Sequence, residues 1–206
     1  MTGPMRAMRR TTIQLLALLV GLATIAAPTV GQGTASKGDE LLAALRASDL
    51  NKAFSLLDGS GSSIINHRGV DGSTALHTVV RARNIDWIGY LLSNGADKDA
   101  GDNKGDTPLI LAARAGYNEG VSLLLTRRAI VDKANRQGET ALIVAVQQRH
   151  GPIARALLKL GANPDKRDHA AGYSAREYAA RDSRSKEMLK LIEAAKPPVS
   201  VAKPAG

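Results

Sequence analysis

Pairs of large apolar residues recur along this chain at a nearly constant interval. These pairs are Leu91-Leu92, Leu124-Leu125, Leu157-Leu158 and Leu191-Ile192. A glycine followed two residues later by threonine or serine keeps the same interval. These glycines are Gly72, Gly105, Gly138 and Gly172. Two independent features with one period indicate an internal repeat of about 33 residues and predict a stack of repeated units.

The pattern within one unit predicts a tight turn followed by two short antiparallel helices. Gly105 supplies the positive φ of the turn at little steric cost. Thr107 is expected to cap the first helix, with Pro108 at its first position, where a missing N–H costs nothing. In the second helix, Val121, Leu124 and Leu125 form a buried stripe at helical spacing. The fold class that follows is all-α.

The start of each first helix resembles the signature of the ankyrin repeat family. That signature, T-P-L-H, is present here as Thr74-Ala75-Leu76-His77, Thr107-Pro108-Leu109-Ile110 and Thr140-Ala141-Leu142-Ile143. The resemblance implies a solenoid of stacked helix-turn-helix units with short β-hairpin-like loops. It also assigns structural roles to Gly72, Thr74, His77, Gly105, Thr107, Pro108, Gly138 and Thr140.

The repeat region is expected to cover residues 38–195 as one domain. We place an N-terminal cap at 38–66, repeats at about 69–101, 102–134 and 135–167, and a C-terminal cap repeat at 168–195. In the last unit, charged residues such as Arg176 and Glu177 replace apolar ones, which is typical of a cap. Residues 196–206 are rich in proline and show no helical period, so we expect a flexible tail.

The segment 1–33 has the layout of a secretory signal peptide. Three arginines, Arg6, Arg9 and Arg10, precede an almost wholly apolar stretch at 13–27, and small residues follow. Export to a bacterial periplasm is therefore predicted, with no stable membrane span after cleavage. The alternative is an uncleaved membrane anchor, and the cleavage site and the export route, general or twin-arginine, are left open.

The charge of the chain changes once the signal is set aside. The formal net charge is +9, with 28 Lys and Arg against 19 Asp and Glu. The segment 1–33 carries three of the basic residues and no acidic one, which leaves an excess of +6. Aromatic platforms for nucleic acid are missing, so no nucleic-acid partner is expected. The chain has no cysteine, which excludes disulfides, thiolate metal sites and cysteine nucleophiles.

No motif in the chain predicts catalysis, a metal site or a cofactor. His77 is expected to bond the backbone of an adjoining turn, and His150 is expected to serve the turn between two helices. His67 and His169 have no acid or nucleophile at a suitable spacing. The acidic run from Asp97 to Asp106 does not fit a calcium loop, because Gly101 and Pro108 occupy ligand positions. We interpret it as a solvated hairpin whose aspartates make turns.

The resemblance implies a binding function through a concave groove formed by hairpin tips and first helices. The function expected is an exported, monomeric scaffold that binds another protein, specifically an acidic protein surface, since arginines align from repeat to repeat. Binding of an anionic envelope polymer or lipid surface is the alternative, and a merely solvated positive face is also left open. The candidate groove residues are Arg81, Arg83, Lys104, Arg114, Arg136, Gln137, Gln147, Arg149, Tyr173 and Arg181.

Overall fold

The computed structural model describes residues 36–195, which form ten α-helices arranged in five pairs. The first helices of the pairs are α1 (Lys37–Arg46), α3 (Ala75–Arg81), α5 (Pro108–Arg114), α7 (Ala141–Gln147) and α9 (Ala175–Arg181). The second helices are α2 (Leu50–Ser60), α4 (Ile85–Ser93), α6 (Asn118–Thr126), α8 (Gly151–Lys159) and α10 (Lys186–Ala194). A 3-10 turn at Gly61–Ile64 follows α2. The all-α repeat fold is confirmed.

Two of the sequence predictions concern segments that the structure does not describe. The signal peptide at 1–33 and the tail at 196–206 both lie outside the described residues. Within residues 36–195, no helix has the length and apolar character needed to cross a membrane.

Local sequence determines where the first helices begin. Thr107 is the N-cap of α5, and its hydroxyl accepts a hydrogen bond from the Ile110 N–H at 3.2 Å, while Pro108 occupies the first turn. Thr140 caps α7 in the same way through Ile143 at 3.3 Å. Each cap satisfies one of the backbone donors that a helix start leaves without a partner.

The helices stack in sequence order. Each first helix contacts the first helix of the next pair, and α4, α6, α8 and α10 form a second row behind them. Small residues such as Ala112 and Ala113 are fully buried, which lets the two rows approach closely. The apolar residues of the repeats join into one continuous core. Trp87 is buried within it and contacts the ring of Tyr90.

Side-chain oxygens of one repeat accept hydrogen bonds from backbone N–H groups of the next repeat. These bonds were not predicted from the sequence. The Asn66 side chain accepts from the Asp97 N–H at 2.7 Å, and Asp99 accepts from the Ile130 N–H at 2.8 Å. Asp132 accepts from the Asn163 N–H at 3.0 Å. The three acceptors keep the repeat interval, so the first three of the four interfaces between neighbouring helix pairs carry the same polar bond in addition to their apolar contacts.

Candidate functional site

The hairpin tips are joined to one another by backbone hydrogen bonds. The Asn103 N–H donates to the Asp71 carbonyl at 3.0 Å, and the Arg136 N–H donates to the Lys104 carbonyl at 3.0 Å. The His169 N–H donates to the Gln137 carbonyl at 2.7 Å. Since one bond recurs at each junction, the tips form a fixed row on which exposed side chains are held in register.

The hairpins of the second and third repeats are each closed by a buried acceptor at their first position. Asp102 accepts from the N–H groups of Lys104 and Asp106 at 2.9 and 3.0 Å. Asn135 does the same for Gln137 and Glu139 at 3.0 and 2.9 Å. The side chain thus replaces a backbone turn contact and sets the hairpin geometry.

His77 links the end of the first hairpin to the second hairpin through hydrogen bonds to both. Its Nδ1 accepts from the Thr74 N–H at 3.2 Å, so Nε2 carries the proton and donates to the Asp106 carbonyl at 2.9 Å. The ring is fully buried, and this burial lowers its pKa below 6.5. A neutral imidazole that uses both nitrogens to hold backbone is a structural group, and it has no free nitrogen for a metal or for catalysis.

The sequence-based interpretation of the acidic run as solvated is wrong for two of its members. Asp102 and Asp106 are 6% and 2% exposed. Asp102 accepts from Arg81 Nη2 at 3.1 Å, and Asp106 forms an ion pair with Arg114. The guanidinium groups provide the charge that allows the two carboxylates to be buried.

Arg114 is the centre of a small network. It contacts both oxygens of Asp106, and its Nη2 lies 3.3 Å from Glu139 Oε2. Asn135 Nδ2 donates to Asp106 at 2.8 Å and to Glu139 at 2.9 Å. Burial alone would raise the pKa of Asp106, but the hydrogen bonds from Arg114 and Asn135 outweigh it and hold that pKa below its usual value.

A cavity of about 510 Å³, which we call the groove pocket, lies between the second and third repeats. It brings together five of the predicted groove residues, Lys104, Arg114, Arg136, Gln137 and Gln147. Its remaining lining residues are Asp106, Glu139 and Gln148. The pocket therefore holds three cations, two carboxylates and three amide side chains.

The three cations of the groove pocket differ in whether they are already paired with a carboxylate. Arg114 is occupied by Asp106 and Glu139. Lys104 and Arg136 are exposed, and neither forms an ion pair within the described part of the chain. The pocket thus presents one lysine and one arginine on neighbouring tips, beside amides that can both donate and accept hydrogen bonds.

The other predicted groove residues lie outside the groove pocket. Arg81 lines a separate cavity of about 280 Å³, together with Arg46. It is paired there with Asp71 and Asp102. Tyr173 and Arg181 contact each other at the last repeat, where the guanidinium lies 4.2 Å from the ring centre.

Arg83 and Arg149 occupy the turns between paired helices, in left-handed backbone conformations with φ of 54° and 59°. Arg83 donates to the Ala115 carbonyl and lies over the Tyr117 ring. Arg149 Nε donates to Asp182 at 2.8 Å, and this contact is the main reason that the pKa of Asp182 lies well below its usual range. Both arginines therefore connect a turn to the next repeat.

A third cavity, of about 190 Å³, lies between the starts of α8 and α10. We call it the basic pocket, and its lining residues are Arg149, Gly151, Arg155, Arg184, Ser185, Glu187, Met188 and Leu191. Only Arg149 was among the predicted groove residues, and the two cavities share no lining residue.

The acids that neutralise the arginines were missed by sequence reasoning, although a signal was present. Asp106 and Arg114 are eight residues apart, and so are Ser73 and Arg81, which also form a hydrogen bond at 2.8 Å. Eight residues is the distance from a hairpin to the end of its first helix, so a polar pair at that spacing can meet.

Within residues 36–195, no group of His, Asp and Glu side chains is placed to hold a metal ion.

Stacked helix pairs, a row of hydrogen-bonded tips and a polar groove beside them define a helical repeat protein. The family model for ankyrin repeats (3 copies) matches residues 41–133 and 102–168. The chain belongs to the ankyrin repeat family.

A curated relative supports the same family. An ankyrin repeat protein of Acanthamoeba polyphaga mimivirus, L271, is 50% identical to this chain over 48 residues. The matched segment is 23% of this chain and 7% of the viral protein. Ankyrin repeats generally mediate protein–protein interaction, and the family is typically a non-catalytic scaffold.

Proposed function

We propose that this chain is an exported scaffold that binds an acidic segment of another protein in the groove pocket. The observation that carries the proposal is the unequal pairing of charge there. Asp106 and Glu139 are both bonded by Arg114 and Asn135, whereas Lys104 and Arg136 face solvent and give the pocket an excess of one positive charge. A carboxylate that enters the pocket meets two available cations and no free acid.

The neighbouring amides extend the surface beyond a single charge. Gln137, Gln147 and Gln148 line the same pocket as Lys104 and Arg136. Glutamine amides can bond both the N–H and the C=O of an extended peptide. The fixed row of tips keeps these groups in position before binding, which reduces the ordering cost of association.

The proposal is tested by comparing partners captured by matched variants of the full chain. Tagged wild type, a Lys104→Glu/Arg136→Glu variant and an Arg127→Glu/Arg128→Glu control are expressed in the source organism, crosslinked and analysed by mass spectrometry. Both variants carry the same change of net charge, but Arg127 and Arg128 follow α6 and do not line the groove pocket. We expect the groove variant alone to lose the wild-type partners. Equal capture by the two variants would show that the pocket does not bind them.

A second candidate function is binding of an anionic envelope polymer or lipid surface. It is favoured by exposed basic residues outside the groove pocket, including Arg127, Arg128 and Arg155. Such binding would weaken steeply as salt rises, because it rests on many screened charges. It would also be reduced to a similar extent by the groove and control variants.

The location that we propose is the bacterial periplasm, with residues 1–33 removed on export and the remaining chain monomeric. The retained membrane anchor is the alternative. Amino-terminal sequencing of the protein from the periplasmic fraction tests this directly, and sedimentation equilibrium measures its mass. A membrane-bound protein that begins at Met1 would overturn the cleavage proposal.

A further inference from the structure

The basic pocket contains more guanidinium donors than the protein itself uses. Arg149 and Arg184 both approach Asp182, the first through Nε at 2.8 Å and the second through Nε at 3.5 Å. Their terminal Nη groups make no hydrogen bond within residues 36–195. Arg155 lines the same pocket and has no side-chain partner in that part of the chain.

The carboxylates near this pocket are already engaged. Asp182 accepts from Arg149, from the Ser185 hydroxyl at 2.8 Å and from the Arg184 N–H at 3.0 Å. Glu187 Oε1 lies 3.0 Å from Lys190 Nζ. The pocket therefore keeps an excess positive charge from Arg155, and Asp182 orients the two arginines beside it.

The backbone at Arg149 sets where its side chain leaves the turn between paired helices. Its φ of 59° lies in the left-handed region, which Arg83 and Gly116 share at the equivalent positions of the two preceding repeats. The conformation therefore belongs to the turn of each repeat, and at Arg149 it places a guanidinium at the edge of the basic pocket.

We propose that the basic pocket binds a phosphate group through Arg155, Arg149 and Arg184. Planar guanidinium forks match the oxygen pairs of a phosphate, and a dianion has enough acceptors for three of them. Met188 and Leu191 supply an apolar wall beside the charges. This wall suits a phosphate carried on a small organic group. The site is independent of the groove pocket and of the function proposed for it.

The test is calorimetric titration of the full chain with inorganic phosphate at constant ionic strength. We expect saturable binding that Arg155→Ala weakens at least tenfold and Arg155→Lys weakens less, because lysine keeps the charge but loses the fork. Arg128→Ala is the matched control, since it removes one exposed arginine outside the pocket, and it should leave the affinity unchanged. Circular dichroism melting verifies that every variant is folded.

Two further titrations identify the source of the phosphate. Glycerol 3-phosphate represents a lipid headgroup, and a phosphoserine peptide represents a modified protein. The ligand that binds more tightly than inorganic phosphate and loses that gain in Arg155→Ala is the source. Absence of saturable phosphate binding, or equal weakening by Arg155→Ala and Arg128→Ala, would overturn the proposal without bearing on the groove pocket.

Discussion

Arg81 reaches from the end of α3 to Asp102 at the base of the next hairpin, where the Nη2–Oδ2 distance is 3.1 Å. The contact joins two repeats, and Arg114 repeats the theme with Asp106 and Glu139 one unit later. Arg81 and Arg114 therefore stabilise the contacts between neighbouring repeats. This divides the basic residues into those that pair with carboxylates of the fold and those, such as Arg136, that face solvent.

Removing Arg114 is expected to destabilise the protein, whereas removing Arg136 is not. Arg114→Ala leaves the buried Asp106 carboxylate with Asn135 as its remaining side-chain donor. Breaking a fully buried pair costs about 3–5 kcal/mol. Because the Arg114 side chain is 37% exposed, we expect a smaller loss of about 2 kcal/mol, after discounting for solvent screening.

Urea denaturation of the two variants measures the difference. Arg136→Ala removes the same charge from an exposed position and should change the free energy of unfolding by less than about 0.5 kcal/mol. If both variants unfolded at the wild-type midpoint, the assignment of Arg114 to the fold would be wrong.

The pH dependence of stability should respond to His77. Its folded-state pKa is lowered by burial, with the positive charges of Arg81 and Arg68 acting in the same direction. Below about pH 6.5 the unfolded chain takes up a proton at this residue and the folded chain does not, so stability falls as pH decreases. The contribution is at most about 1.4 kcal/mol per pH unit.

His77→Gln should flatten this dependence, because an amide can accept from Thr74 and donate to Asp106 without titrating. Thermal melts between about pH 7.5 and pH 5.5 compare the two proteins. The carboxylates whose pKa values are lowered from 3.8, such as Asp106 and Asp182, remain ionised in both states over that window. An unchanged slope in the variant would argue against a buried neutral imidazole.

A glycine at a hairpin tip is expected to be indispensable, in contrast to a glycine inside a helix. Gly105 has a φ of 79°, and a Cβ there would lie 2.8 Å from the Arg136 backbone nitrogen. Gly105→Ala therefore combines left-handed strain with a clash at the tip row, at a cost of about 2 kcal/mol or more. It should also weaken capture of groove partners, since the clash falls on the residue that carries one of the two available cations.

The control for this prediction is Gly89→Ala in the middle of α4. A Cβ at Gly89 would meet no atom within 4 Å, and alanine favours a helix interior by about 0.5–1 kcal/mol. Differential scanning calorimetry should show Gly105→Ala melting lower than wild type and Gly89→Ala melting at or above it. A Gly105→Ala protein as stable as wild type would contradict the tight-tip geometry.

The repeat and its helices could be predicted from the sequence because they depend on local rules with a fixed period. Gly105, Thr107 and Pro108 each specify a conformation within a few residues of themselves. The partners of the arginines could not be predicted in the same way. The Arg81–Asp102 contact joins residues 21 positions apart, and only the stacking of one repeat on the next brings them together.

The same limit applies to the groove. Charge counting along the chain treats Arg114 and Arg136 alike, and both were predicted to face a partner. The two arginines differ in pairing because Asp106, whose exposed fraction is 2%, is buried beside Arg114 and forms an ion pair with it. The strength of an ion pair depends on how far the fold excludes water from the two charges. The order of charged residues along the chain does not show that exclusion.

Replacing Arg128 by glycine is expected to stabilise the protein. Arg128 has a φ of 61°, and the equivalent positions in the neighbouring repeats hold Gly95 and Gly161 in the same left-handed region. Its side chain has no partner among residues 36–195, so the substitution removes strain without breaking a contact. We expect a gain of about 1 kcal/mol, partly offset by the greater freedom of glycine in the unfolded chain.

Arg127→Gly is the matched control for this change. Arg127 has a φ of −83° and donates to the Ser93 hydroxyl at 3.2 Å, so glycine there loses a contact and relieves no strain. Urea unfolding midpoints should rise for Arg128→Gly and fall or stay level for Arg127→Gly. Equal shifts in the two variants would show that the loss of charge, and not the left-handed backbone, determines the result.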